Sequence, residues 1–273
     1  MSGAASIDES ALRVGSVSFL NAKPLIYGLE EDRRIKLSLE VPSRLLDGLI
    51  ENRLDVALLP VIDYQRLGGL RVLTGGGIGS DGPTLTVRIF SPIPIEQIDA
   101  LACDTDSHTS VALARIILSE RFGIQPEFIE LTRFRPDSPS AARTARLLIG
   151  DKVICEEPKD LHHQLDLGEA WKELTGLPFV FAAWMVRAGV KCGDLNQRLE
   201  AAKRNGLAHV EQIIERHARP LGWPADIARQ YLTRNLQFDI GPRQLEAIRV
   251  FHEKAHRHGV IDDAPAPLMV EGE

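Results

Sequence analysis

The sequence predicts an α/β protein built as two lobes with a ligand cleft between them and a helical C-terminal tail. Three observations predict it. Short β-branched runs alternate with helical stretches in the order βαβαβ, which implies strands lying parallel in a sheet. A second set of the same alternation follows a stretch punctuated by Pro92 and Pro94, so the chain crosses between two units. Beyond Gly189 the apolar residues recur only at helical spacing. A length of 273 residues fits this arrangement, at roughly 150 residues per unit. With 44% hydrophobic and 26% charged residues, the chain can build a sizeable core and is not a disordered polypeptide. Its 32 Lys and Arg against 38 Asp and Glu give a formal charge of -6, which offers no overall attraction to nucleic acid or to an anionic membrane.

The elements follow in order. Leu12 to Val17 is a short strand, and the stretch from about Asn21 to Glu30 is helical, with Pro24 near its first turn. Lys36 to Val41 alternates as a strand, Pro42 and Ser43 open an amphipathic helix through Asn52, and Asp55 to Leu59 is an apolar strand ending at Pro60. The glycine-rich Gly75 to Gly82 reads as a tight turn and carries no phosphate-binding fingerprint, because no Lys-Ser/Thr pair and no helix follow it. Thr84 to Phe90 is strand-like. In the second unit, Leu101 to Cys103 ends a strand, Ser107 to Phe122 is a helix, Phe128 to Leu131 is a strand, and Ala141 to Leu147 is a helix running into Leu-Leu-Ile-Gly-Asp. A helix from about Leu165 to Thr175 carries Trp171, and the apolar strand Phe179 to Val186 leads back toward the first unit. The tail reads as helices from Leu195 to about Pro220, Ala225 to Asn235 and Arg243 to His258. Lobe 1 is expected to comprise residues 1–92 and 188–273, and lobe 2 residues 93–187.

Asp8 and Glu9 stand where a secretory leader would be apolar, and the longest apolar stretch, Leu177 to Val186, is about half of the roughly 20 residues a membrane helix needs. A cytoplasmic protein is expected. Cys103, Cys155 and Cys192 are widely spaced without a Cys-x-x-Cys pair, against a disulfide framework or a thiolate zinc site. Cys103 and Cys155 lie in strand-like apolar contexts, where burial raises the thiol pKa and disfavours a catalytic role.

In open α/β sheets ligands sit beyond the carboxyl ends of the strands. The segments there are Ser18 to Asn21, Pro60 to Ile62, Ser80 to Thr86, Asp104 to Ser110, and Asp151. They are mostly small and polar. Asp104 to Ser110 precedes a helix whose first amides lack intrahelical acceptors, so they can hold a carboxylate with Thr109 and Ser110 beside them; the same residues also serve as a plain N-cap. Asn21 has the same two readings. His252-Glu253-Lys254-Ala255-His256 matches the H-E-x-x-H zinc signature, but Leu245, Ile248, Phe251 and Ala255 define the buried stripe, with His252 at its edge and His256 farther out. Little chain remains to supply a third ligand, and no metal is expected. His162 and His163 read as surface residues, and His217 as a helix-dipole partner. The aromatic and basic residues do not interleave along the chain as in a nucleic-acid platform, and the cluster Arg133, Arg135, Arg143 and Arg146 is broken by two prolines and reads as a solvated face.

The opening block Val14 to Leu25 (VGSVSFLNAKPL) resembles the chorismate dehydratases of the futalosine route to menaquinone. Leu54 to Ile62, Ile78 to Pro83, Asp104 to Val111, Leu147 to Asp151 and Asp166 to Trp184 resemble further blocks of that family in the same order, so the resemblance covers nearly the whole chain. The sister enzyme that makes dihydroxynaphthoate has a different opening block. The resemblance implies the periplasmic-binding-protein type II fold and the removal of water from chorismate, giving 3-[(1-carboxyvinyl)oxy]benzoate with no metal or redox cofactor. It implies Asn21 and Asp151 as catalytic candidates and Ser18, Ser80, Thr86, Thr109 and Ser110 as substrate-binding candidates, with either Asp151 or a carboxylate of the substrate as base. Thr86 stands where the family pattern has Ser and His108 where it has Arg, which bears on hydroxyl geometry and carboxylate pairing. A carboxylate receptor or sensor domain is the alternative on this fold. The expected leaderless start counts against the first, and the absence of a helix-turn-helix appendage against the second.

Overall fold

The computed structural model describes residues 11–104, 108–158 and 161–271. The strands are β1 (Leu12–Ser16), β2 (Ile35–Leu39), β3 (Val56–Pro60), β4 (Arg71–Ser80), β5 (Val87–Ser91), β6 (Ala100–Cys103), β7 (Glu127–Glu130), β8 (Thr144–Ile149), β9 (His163–Asp166) and β10 (Phe179–Val186). The α-helices are α1 (Lys23–Ile26), α2 (Pro42–Ile50), α3 (His108–Phe122), α4 (Asp151–Cys155), α5 (Leu167–Thr175), α6 (Leu195–Ala208), α7 (Val210–Ile213), α8 (Ala225–Gln230) and α9 (Pro242–Arg257). Among the described residues no helix is long and apolar enough to cross a membrane.

Two five-stranded sheets share one plan, β2-β1-β3-β10-β4 and β7-β6-β8-β5-β9. In each, three parallel strands are followed by one antiparallel strand: β10 runs against β3 and β4, and β5 against β8 and β9. The expected boundaries assigned β5 to lobe 1 and β10 to lobe 2. Strand pairing reverses both, and moves the crossings to residues 81–86 and 176–178, because each of these apolar strands completes the sheet that it enters. The parallel set expected throughout is confined to β1, β2 and β3 in one lobe and β6, β7 and β8 in the other.

Asp166 fastens the first crossing to the start of α5. Its Oδ1 accepts from the backbone N–H groups of Thr84 (3.0 Å), Gly168 (2.9 Å) and Glu169 (3.1 Å), and its Oδ2 from that of Leu85 (2.8 Å). This one carboxylate caps α5 and holds Leu85 at a left-handed φ of 71°, a conformation that a branched residue keeps only when its surroundings enforce it.

Three expectations change. Gly75 to Gly82 is not a tight turn: most of it lies in β4, a ten-residue strand. Neighbouring backbone presses against these glycines, since a Cβ on Gly77 would lie 2.7 Å from the Ala182 carbonyl oxygen and one on Gly79 2.6 Å from that of Phe179. Ala141 to Leu147 is not a helix. A 3₁₀ turn over Pro139–Arg143 leads into β8, whose central place between β6 and β5 buries both faces and removes the alternation that marks a half-exposed strand. The helix expected from Asn21 to Glu30 is broken into a 3₁₀ turn (Leu20–Ala22), α1 and a second 3₁₀ turn (Leu29–Glu31), with Gly28 at φ 77° between the last two. Ser107, the expected start of α3, lies outside the described residues.

The tail packs on the first lobe, where Gly79 and Gln237 exchange both backbone hydrogen bonds at 2.8 Å. Its helices α7 and α8 each run into a π-helical turn, Ile214–Ala218 and Tyr231–Asn235. On α9, His252 is 2% exposed. Its Nε2 donates to the Val61 carbonyl at 2.8 Å, so Nδ1 is the acceptor facing Gln65 Nε2, also at 2.8 Å. Both imidazole nitrogens are occupied by protein partners, and His256 Nδ1 faces the Ile261 carbonyl at 3.1 Å. Cys155 is not in a strand; it closes α4 and is exposed, whereas Cys103 is buried and its thiol is pushed up to about 12 by burial.

Candidate active site

A cavity of about 210 Å³ lies between the lobes, at the carboxyl ends of β1, β3, β6 and β8, where the topology of open α/β sheets places a ligand. Val17, Phe19, Leu58, Ile78, Phe181 and Leu236 form its apolar wall. Such a wall excludes water and strengthens any electrostatic contact made inside.

Four predicted residues meet here. Asn21 arrives on the 3₁₀ turn after β1, Thr86 at the end of the first crossing, Ser110 in the first turn of α3 and Asp151 at the first position of α4. The Asn21 Oδ1 is buried with no hydrogen-bond partner, an acceptor whose desolvation is uncompensated until something donates to it. Thr86 Oγ1 donates to the Tyr231 hydroxyl at 2.9 Å. Burial raises the Asp151 carboxyl above its ordinary value, against the Trp223 indole N–H that donates to Oδ1 at 2.8 Å.

Three predicted residues are elsewhere. Ser18 is exposed, and the wall beside it is made by Val17 and Phe19. Ser80 is buried at the crossing, where its Oγ stands 2.6 Å from the position a Cβ on Gly168 would take. Thr109 is fully buried and turned away from the cavity, its Oγ1 accepting from the Ile62 N–H at 3.5 Å. Adjacent helix residues point about 100° apart, so Ser110 and Thr109 cannot both face one ligand. His108 also points away: its Nδ1 lies 3.1 Å from Asp63 Oδ1 and 3.0 Å from Arg66.

The sequence reading passed over Tyr231, Trp223 and Lys152. Tyr231 and Trp223 come from the tail, where helical periodicity marks them only as buried aromatics. Lys152 follows Asp151 and pairs with Asp104 at 2.5 Å inside the cavity lining, placing a cation beside the α3 terminus. Its signal was the strand-end position itself. No group of three or more His, Cys, Asp or Glu that could hold a metal ion occurs among the described residues.

The family model described as menaquinone biosynthesis matches residues 12–257. The chain belongs to the menaquinone biosynthesis family. It is similar to the chorismate dehydratase of Thermus thermophilus, at 27% identity over 243 residues, covering 80% of this chain and 86% of that protein. It is similar to the chorismate dehydratase of Campylobacter jejuni at 24% identity over 244 residues, covering 87% and 94%. A 1,4-dihydroxy-6-naphtoate synthase of Thermus thermophilus is 25% identical over 275 residues, covering 95% and 99%. Among solved structures, an Archaeoglobus fulgidus protein superposes with a TM-score of 0.68 at 17% identity, covering 93% of this chain and 99% of that one. The periplasmic aliphatic sulphonate binding protein of Escherichia coli superposes with a TM-score of 0.67 at 16% identity, covering 97% and 95%. These likenesses show that this member of the menaquinone biosynthesis family has the bilobal periplasmic-binding-protein-like fold.

Proposed function

We propose that this protein is a chorismate dehydratase, removing water from chorismate to give 3-[(1-carboxyvinyl)oxy]benzoate in menaquinone biosynthesis by the futalosine route. The observation that carries the reading is the interlobe cavity of about 210 Å³, apolar in its walls, into which Asn21, Thr86, Ser110, Asp151 and Lys152 converge from both lobes. Two chorismate dehydratases among the relatives, and an opening block Val14 to Leu25 of that family's type, support it over the naphthoate synthase reaction.

The chemistry needs little from the protein. The hydrogen on the ether-bearing ring carbon is acidified through the ring by the conjugated carboxylate, loss of the neighbouring hydroxyl makes the ring aromatic, and aromatisation drives the reaction. What remains is to bind two carboxylates, hold the breaking bonds in line and keep water away. Ser110 and the first turn of α3, beside the Lys152–Asp104 pair, suit one carboxylate by hydrogen bonding. The free acceptor of Asn21 suits the ring hydroxyl. Asp151 or a carboxylate of the substrate takes the ring proton. On this reading the protein works in the cytoplasm.

Incubation of the purified, metal-stripped protein with chorismate, followed by chromatography and mass spectrometry, tests the reading. Loss of one water with appearance of the enolpyruvyl benzoate is expected. Folded protein that leaves chorismate intact but binds carboxylates tightly would replace the enzyme by a receptor.

A further inference from the structure

Elimination of hydroxide from a ring carbon needs a proton for the departing oxygen, and Tyr231 is built to supply one. It opens the π-helical turn after α8, is 2% exposed and lines the cavity. Its ring stacks on Trp223, with centroids 5.2 Å apart and planes inclined by 26°, which fixes where the hydroxyl lies. The phenolic oxygen accepts from Thr86 Oγ1 at 2.9 Å, and the adjacent Asn21 side chain acts on it in the same direction. With its oxygen serving as acceptor, the phenol keeps its own O–H for another partner, and Asn21 Oδ1 is not that partner because it has none. Burial pushes the phenol above its ordinary value, with Asp151 adding to the effect, so it stays protonated at neutral pH. A π-helical turn is a common feature of functional sites, and here it sets a tail residue against the lobe crossing.

We propose that Tyr231 is the general acid that protonates the departing ring hydroxyl, which binds between the Tyr231 O–H and the Asn21 Oδ1. This rests on the dehydratase reading. The ring C–H proton passes to a carboxylate, Asp151 or one of the substrate's own, and its electron pair becomes part of the aromatic ring. The ring C–O bond breaks with its pair on oxygen, and that oxygen takes the Tyr231 proton and leaves as water. The tyrosinate then recovers a proton from the protonated carboxylate through the released water, so nothing is consumed but chorismate. The transfer is favourable in direction, because the unassisted leaving group would be hydroxide, a stronger base than the tyrosinate that the transfer leaves behind. Thr86 and Asn21 stabilise the transient phenolate by donating to or lying beside its oxygen.

The test compares two substrates in wild-type protein and in Tyr231→Phe, which keeps the ring against Trp223. One substrate is chorismate; the other carries fluorine in place of the ring hydroxyl, and its leaving group departs as an anion without a proton. With chorismate, the variant is expected to lose about 10²- to 10⁴-fold in kcat with KM little changed. With the fluoro analogue, fluoride release is expected within a few-fold of wild type. A solvent deuterium isotope effect on wild-type kcat, present with chorismate and near unity with the analogue, checks the same step without any variant. Equal losses on both substrates would make Tyr231 a merely structural residue, and no loss on chorismate would remove it from the reaction. Wild-type protein inert toward chorismate overturns the dehydratase reading and this assignment with it.

Discussion

The indole N–H of Trp223 donates to Asp151 Oδ1 across 2.8 Å, joining the C-terminal tail to the first position of α4 in the second lobe. The contact bridges the cleft and acts on Asp151, a cavity carboxylate whose pKa burial raises. Trp223→Phe keeps a ring for Tyr231 to stack on and removes the donor. Without it the Asp151 pKa rises further, because a hydrogen bond to a carboxylate favours the charged form. If Asp151 works as a carboxylate, the acid limb of kcat/KM moves to higher pH; an unmoved limb in a pH profile of the variant would show that another group governs it.

The cavity separates the polar candidates into two groups with opposite expectations. Asn21→Ala and Ser110→Ala should each lower chorismate turnover by about 10- to 1000-fold with folding preserved, the range for losing one aligned hydrogen-bonding group at a reacting centre. Ser18→Ala should turn over like wild type. Thr109→Val should act on stability instead, by about 1–2 kcal/mol, because it strands the Ile62 N–H in the interior. Kinetics and thermal melts on the four variants check the division, and wild-type rates for both Asn21→Ala and Ser110→Ala would remove the site from this cleft.

His252 makes stability depend on pH. Burial lowers its pKa to about 4 from an ordinary 6.5, against the hydrogen bond to the Val61 carbonyl. The folded state therefore binds fewer protons than the unfolded state between these values. The contribution of neutral His252 is complete above pH 6.5, declines as the pH falls and is gone below about 4, by at most about 3 kcal/mol. Urea melts from pH 7 to 4 on wild type and His252→Gln should show a steeper loss for wild type; parallel curves would assign the acid sensitivity elsewhere.

Gly77→Ala tests the reading of β4 as a strand under close pressure. The added methyl meets the Ala182 carbonyl oxygen at 2.7 Å and Ile240 Cδ1 at 2.6 Å, so β4 and β10 must separate or Ile240 must move. A loss of about 1–3 kcal/mol is expected from overpacking. An unchanged melting temperature would show that the pairing gives way without cost.

Much of this was legible beforehand because it depends on local rules. Asp55 to Leu59 and Phe179 to Val186 read as buried strands from unbroken apolar runs, and the tail helices from their period, since burial on both faces or on one stripe writes itself into composition. The strand-end rule found Asn21, Thr86, Ser110 and Asp151 without any knowledge of the partner lobe. It also admitted Ser18, Ser80 and Thr109, because a position after a strand says nothing about which way a side chain turns. Ala141 to Leu147 mixes both propensities, and only the place of β8 between two other strands makes its part of that stretch extended.

The α/β class, the helical tail, the strand-end segments and the family blocks are all written in the order of neighbouring residues. Only the folded chain settles which lobe each crossing strand joins, that a glycine run is a strand, that Tyr231 lines the cavity 210 residues from Asn21, and that Trp223 donates to Asp151 72 residues away. The physical reason is that hydrogen bonding between sheets' strands and burial inside a cleft depend on what lies opposite, and what lies opposite comes from another part of the chain.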